Sequence, residues 1–250
     1  MTDAWIEYPK PQPKAAVKLV CLPHAGASPR SFYPWADELP DSVELLPICL
    51  PGRAGRSEAP LMTSVKEIVE PLALALAHLM DEQVVFFGHS LGALLALELV
   101  LELRRRGSKL PTLLVVSGRT IPGMGRTLKL HSLPDTQLVR EVQRIYGGIP
   151  RELLVEPAML MRMLPILRAD LAVNETYRHV REPPVACSIL ALGGTTDPHV
   201  TGTELELWRG ETTGKFQSAQ FNGGHFYLTT PEGSTWVLDK IMRGLERLPV

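Results

Sequence analysis

The sequence predicts an α/β fold, a mostly parallel sheet covered by helices on both faces, and three observations carry that expectation. Short apolar runs rich in β-branched residues alternate with longer segments of helical period along the 250-residue chain. The strand-like runs are almost continuously hydrophobic, as strands buried on both faces must be. Residues 84–96, VVFFGHSLGALLA, pass from one such run through a glycine straight into strong helix formers, the turn of a βα unit.

Taken in order, AVKLVCL (16–22) and VELLPICL (43–50) are short, apolar and partly β-branched, and predict buried strands. TSVKEIVEPLALALAHLM (63–80) has helical length and period, with Pro71 expected to kink it outside the first turn. VVFFG (84–88) is a strand. LGALLALELVLELRRRG (91–107) is a helix ending in Arg104, Arg105, Arg106 and a glycine, cations that complement the dipole at a solvated terminus. TLLVVSG (112–118), SILALGG (188–194) and KFQSAQF (215–221) complete the strands. A last amphipathic helix starts at Thr230–Pro231 and carries Trp236, Val237, Ile241, Met242 and Leu245 on one side.

The interval between Gly118 and Ala186 is too long for a plain crossover, so part of it leaves the sheet. It reads helical: LPDTQLVREVQRIYGG (133–148), then RELLVEPAMLMRMLPILRADLAVNETYRHV (151–180), broken at Pro157 and Pro165. The expectation is one domain over 1–250 with a helical insertion at about 120–185, over the strand ends where ligands bind. Met159, Met161 and Met163, with Leu160 and Leu164, either pack this insertion on the core or line an adaptable apolar cavity. The three methionines are the candidate substrate-binding residues.

Hydrophobic residues make up 45% of the chain and charged residues 21%, an ordinary globular balance. A net charge of −1 offers no general attraction to nucleic acid or to an anionic membrane. Cys21, Cys49 and Cys187 are odd in number, lack metal-ligand spacing and lie in apolar runs, so neither a disulfide framework nor a metal site is expected. The N-terminal MTDAWIEYPKPQPK lacks a signal peptide's order of charge and apolar residues, and no apolar stretch is long enough to span a bilayer. The expectation is a cytoplasmic protein with free buried thiols, monomeric by default.

GHSLG (88–92) matches G-x-S-x-G in the strand–turn–helix context that the pattern requires. There the serine hydroxyl is presented at a strand end and at the positive end of the next helix, where the Leu91 N–H is free to hold an oxyanion. A serine needs a base, and in this arrangement the chain order is serine, acid, histidine. His24, His78 and His89 precede or adjoin Ser90, His131 and His179 fall in the insertion, and His199 precedes the last strand. His225 in FNGGHFYL follows that strand, beside a double glycine suited to a returning loop. For the acid, Asp197 lies on the loop after SILALGG; Asp170 belongs to an insertion helix and Asp135 to a helix start. The triad is therefore Ser90, His225 and Asp197. The loop CLPHAGAS (21–28) should supply a second oxyanion N–H, that of Ala25, with His24 either a wall of the site or a structural residue.

Together these segments resemble the type II thioesterases, free-standing α/β-hydrolases associated with polyketide synthases and nonribosomal peptide synthetases. The resemblance rests on LPHAGAS (22–28), LPGRAGR (50–56), GHSLGA (88–93), SGR (117–119), LPDTQLV (133–139), YGGIP (146–150), LPILRAD (164–170), LALGGTTDP (190–198) and GGHFYL (223–228). It implies the α/β-hydrolase fold with a helical lid, Ser90 as nucleophile, His225 as base, Asp197 as its partner, and Ala25 and Leu91 as oxyanion donors. It also implies a substrate held as a thioester on the phosphopantetheine of an acyl or peptidyl carrier protein, no other cofactor, and an editing role that clears aberrant acyl groups. After PGR, where relatives often have an acidic or small polar residue, this chain has Ala54–Gly55. Arg53 and Arg56 then either meet an acidic carrier or pantetheine phosphate, or are plain surface arginines. Rival readings of the same triad are a general carboxylesterase or acyltransferase, and a scaffold protein that keeps the hydrolase shape.

Overall fold

Successive side chains of a strand point to opposite faces, and here they divide between two cores. Val84, Phe86, Leu114 and Val116 enter one, while Val85, Phe87, Leu113 and Val115 enter the other. A computed structural model describes residues 5–124, 128–149 and 154–247. The first four residues of MTDAWIEYPKPQPK, Pro150 of YGGIP and the helix formers Arg151–Leu153 lie outside the described residues.

The six strands are β1 (Val17–Leu22), β2 (Val43–Pro47), β3 (Gln83–His89), β4 (Leu113–Ser117), β5 (Ser188–Gly194) and β6 (Phe216–Phe221). They form one sheet in the order β2-β1-β3-β4-β5-β6, every pair parallel. This is the predicted α/β-hydrolase arrangement. β2 stops at Pro47, short of the predicted Leu50, because Ile48 leaves the ladder to form an antiparallel bridge with Ile6.

Seven α-helices are described: α1 (Trp35–Glu38), α2 (Val65–Leu76), α3 (Leu91–Arg105), α4 (Asp135–Tyr146), α5 (Pro157–Thr176), α6 (Gly202–Glu206) and α7 (Pro231–Glu246). α2 and α3 cover one face of the sheet, with Ile68, Leu72, Leu76, Leu95 and Leu99 in that core. Phe32, Trp35 and α7, through Val237, Leu238 and Ile241, cover the other. α2 opens on a capping box in which Ser64 and Glu67 satisfy each other's backbone N–H groups, and Pro71 lies inside the helix without ending it. Pro165 likewise sits within α5, and Pro157 starts that helix, where the missing N–H costs nothing. Pro157 therefore marks a helix boundary as the sequence predicts, whereas Pro165 does not break the helix; packing of the helix offsets the lost bond.

Arg104, Arg105 and Arg106 do more than complement a dipole. Arg104 and Arg105 each hold Glu182 at 2.6 Å, and Arg105 and Arg106 hold Glu102 at 2.9 and 2.6 Å. The first pair ties the end of α3 to the chain returning toward β5. Cys21, Cys49 and Cys187 are free and buried. Among the described residues no helix is long and apolar enough to cross a membrane.

The excursion between β4 and β5 carries α4 and α5 and has a core of its own. Leu130, Leu138, Val142, Ile149, Leu164, Leu167 and Leu171 pack together there. It forms a cap beside the carboxyl ends of the strands, where the turn after β3 and the loops after β5 and β6 also emerge.

Candidate active site

The turn between β3 and α3 is built by close backbone contact. Ser90 has φ 56° and ψ −110°, a conformation costly for a residue with a side chain. A Cβ on Gly88 would stand 2.1 Å from the Gly92 carbonyl oxygen, and one on Gly92 would stand 2.1 Å from that of Leu22. Both glycines are thus steric requirements: α3 starts hard against β3 and against the end of β1. The Ser90 N–H is held by the Ser117 carbonyl at 2.8 Å, which anchors the elbow to β4.

The loops after β5 and β6 meet beside this turn. His225 Nδ1–H donates to Asp197 Oδ2 at 2.7 Å, with both side chains almost wholly buried. Asp197 Oδ1 accepts the His199 N–H at 2.9 Å, so both carboxylate oxygens are engaged. His225 Nε2 is buried and has no hydrogen-bond partner among the described residues. The ring is walled by Phe226, His89, Tyr146 and His199, with centroids 4.9 to 5.8 Å away. Behind it, His89 Nδ1 bonds Ser117 Oγ at 2.9 Å, and that hydroxyl bonds the Tyr227 hydroxyl at 2.6 Å. Burial, then the charge of His225 and of His24, pushes His89 well below the usual imidazole range, so it stays neutral. His24 is pushed down to about 4 by burial, with smaller contributions from His225 and Arg53.

Ser90 and His225 line two adjoining cavities. The first, about 660 Å³, is largely apolar and includes Ala25, Leu91, Val142, Ile149, Leu167 and Phe226. The second, about 730 Å³, is more polar and includes Arg119, Asn174, Tyr177, Arg178, His179 and His199. Both volumes suit a small organic ligand. Ala25 and Leu91, the predicted oxyanion donors, line the first cavity, and no described hydrogen bond uses either N–H.

The loop bearing Ala25 is fixed by residues that the sequence left open. The Gly26 N–H donates to Asp170 Oδ2 at 2.7 Å. Asp170, on α5, forms a bidentate pair with Arg53 at 2.7 and 2.8 Å, and Arg53 also donates to the Ala27 carbonyl. The two side chains are 5% and 3% exposed, so Arg53 is neither a surface arginine nor a carrier contact. Arg56 lies over the Trp5 ring, 3.7 Å from its centroid. Asp170, the sequence's rival for the triad acid, is committed to Arg53.

The three candidate methionines separate. Met163 lines the apolar cavity on a stripe of α5 with Leu167, Leu171 and Asn174, spaced by three or four residues. Met161, two residues away and thus about 200° around the helix, is 60% exposed. Met159, one turn nearer the helix start, is 53% exposed. Neither lines either of these two cavities. Sequence reasoning missed Arg119, Tyr146, Asn174 and His199 at the site. The one signal for Arg119 was its place in SGR, just past a strand end.

This geometry can support acyl transfer through a serine: a hydroxyl on a strained turn, a base held by a carboxylate in the same cavities, and two backbone donors that no described hydrogen bond uses. Comparison with known proteins agrees. The model of the thioesterase domain matches residues 17–245. The chain is 39% identical over 225 residues to thioesterase PikA5 of Streptomyces venezuelae, covering 90% of this chain and 80% of that protein. It superposes on the type II thioesterase BorB from the borrelidin biosynthetic cluster with a TM-score of 0.87, at 34% identity, over 97% of this chain and 98% of that one. The type II thioesterase YbtT of the yersiniabactin NRPS/PKS pathway gives a TM-score of 0.84 at 26% identity, over 96% and 97%.

Proposed function

The chain belongs to the thioesterase family, and from that premise we propose that it is a serine thioesterase acting on acyl groups borne by carrier proteins. The substrate is a thioester on the phosphopantetheine arm of an acyl or peptidyl carrier of a polyketide synthase or nonribosomal peptide synthetase. The role is editing, the removal of aberrant acyl groups. The observation that carries the reading is the elbow: Ser90 is held in a strained turn beside a buried His225 whose Nε2 is free and whose Nδ1 is tied to Asp197.

Ser90 Oγ attacks the thioester carbon as His225 Nε2 takes its proton. Asp197 holds the tautomer and stabilises the imidazolium that forms. Negative charge develops on the carbonyl oxygen, which the Ala25 and Leu91 N–H groups receive. The carbon–sulfur bond breaks and the thiol leaves with the proton from His225. A water then attacks the acyl-serine, giving its proton to His225, and the free acid departs as Ser90 is reprotonated. The insertion serves as the lid of this single hydrolase domain, and no cofactor beyond the carrier's own arm takes part.

PikA5 and BorB are thioesterases, which favours this chemistry over a general carboxylesterase or an acyltransferase. The test is mass spectrometry of a panel of acyl-carrier proteins before and after exposure to the enzyme. The expected result is loss of the acyl mass with wild type and its retention with Ser90→Ala. Equal release by the variant overturns the assignment.

A further inference from the structure

Arg119 is a half-buried cation that the fold leaves incompletely bonded. It follows β4 across Gly118, and its carbonyl accepts the Trp208 indole N–H at 2.8 Å, so its backbone is fixed. Its Nη1 donates to Asn174 Oδ1 at 2.8 Å and lies 3.4 Å from the Ser90 carbonyl oxygen, which places the guanidinium beside the elbow. Its Nε is buried without a partner, and no described hydrogen bond uses Nη2. Among the described residues no carboxylate lies within ion-pair distance of it. Glu175 and Glu204 line the same cavity, but Glu175 accepts from the Leu130 and His131 N–H groups and Glu204 caps the helix start at Thr201. The neighbouring Thr120 hydroxyl is buried and unpartnered as well. Burial lowers the guanidinium only to about 10, so it is charged at neutral pH.

A donor of a charged group shielded from water without a partner is costly, and such a group is completed by a ligand that brings acceptor oxygens. A thioester held at Ser90 sends its acyl chain one way and its thiol arm another, and two cavities of different polarity open there. The hydrocarbon of an acyl chain suits the apolar cavity. An amide-bearing arm suits the polar one.

We propose that Arg119 is a binding residue for an acceptor oxygen of the substrate, the amide carbonyl nearest the sulfur on the thiol arm. The polar cavity then receives the arm and the apolar cavity the acyl chain. This rests on the thioesterase reading above. An oxygen at C3 of the acyl group has the same hydrogen-bonding chemistry, and the test separates the two sources.

Isovaleryl thioesters of N-acetylcysteamine and of 4-methylpentane-1-thiol share a heavy-atom skeleton and differ in the arm's amide. Acetoacetyl and isovaleryl thioesters of N-acetylcysteamine likewise share a skeleton and differ in the C3 oxygen. Each pair is reported as a ratio of kcat/KM within one protein, which cancels any loss of folded enzyme. In Arg119→Met the amide-to-alkyl ratio is expected to fall roughly tenfold or more from its wild-type value, with the acyl ratio unchanged. Arg119→Lys, which keeps the charge, should restore part of it. A preserved amide-to-alkyl ratio overturns the proposal, as does a collapse of the acyl ratio in its place. If the methionine variant does not fold, the Arg119 Nε–H resonance of the unsubstituted protein decides. It should shift with N-acetylcysteamine and not with 4-methylpentane-1-thiol, and no difference overturns the proposal. A wild-type protein inert on every thioester instead overturns the thioesterase reading itself.

Discussion

The sheet side of the site and the cap side are held by different means. On the sheet side, Ser90 is positioned by backbone packed so closely that only hydrogen fits at Gly88 and Gly92. On the cap side, α5 joins the site through side chains: Asp170 to Arg53 and Gly26, Asn174 to Arg119, and the leucine stripe to the apolar cavity. Backbone contacts tolerate almost no substitution, whereas side-chain ties can be exchanged one at a time. The elbow is therefore fixed by the sheet, and the lining of the cavities beside it by exchangeable side chains of the cap.

The largest effect that would break this contrast is at Ser90 and Asp197. Asp197→Asn should lower kcat by about 10³- to 10⁴-fold, through the wrong His225 tautomer, with little change in melting temperature. Gly92→Ala should instead cost about 3 kcal/mol or more, read as a lower urea midpoint, because its methyl meets the Leu22 carbonyl. A Gly92→Ala protein of unchanged stability would show that the elbow relaxes easily.

The tie between α5 and the oxyanion loop sharpens the comparison. Asp170→Asn leaves Arg53 buried and unpaired, and should destabilise by about 3 kcal/mol or more. The double variant Arg53→Met/Asp170→Leu removes both charges and should regain most of that stability. It still lacks the acceptor for the Gly26 N–H, so kcat should stay depressed while KM moves little. Full recovery of kcat would mean that the tie serves folding alone.

A smaller effect follows from His24. Burial holds it down to about 4 in the folded chain, against an ordinary value of 6.5. Below pH 6.5 the unfolded chain binds the proton more readily than the folded one. The stabilisation is therefore complete above pH 6.5 and is lost as pH falls toward 4. Melting curves should show this decline, and His24→Asn should flatten it. The smallest effects belong to the methionines. Met163→Ala should shift the preferred acyl length, and Met159→Ala should leave both the preference and the stability within about 0.5 kcal/mol of wild type.

Five of the six strands were legible because a strand buried on both faces must be apolar throughout, a signal that needs no partner to be recognised; the edge strand β6, FQSAQF, is half polar and only partly buried. Ser90, His225 and Asp197 were legible because their order along the chain follows from where parallel strands end. The cap was legible only as helical mass. Pro165 reads as a break in the sequence, yet it lies within a continuous α5, since packing there outweighs one lost hydrogen bond.

What the sequence by itself determined is the sheet, the elbow at Ser90 and the strand-end loops that carry Asp197 and His225, because local sterics and strand order constrain them within short windows. Tertiary structure alone decided that Arg53 is buried against Asp170, that Met161 faces solvent and Met163 the cavity, and that Arg119 stands beside Ser90 with donors to spare. Each of those depends on a contact between distant segments of chain. A charged residue looks the same in sequence whether its partner lies across the core, in solvent, or on a substrate.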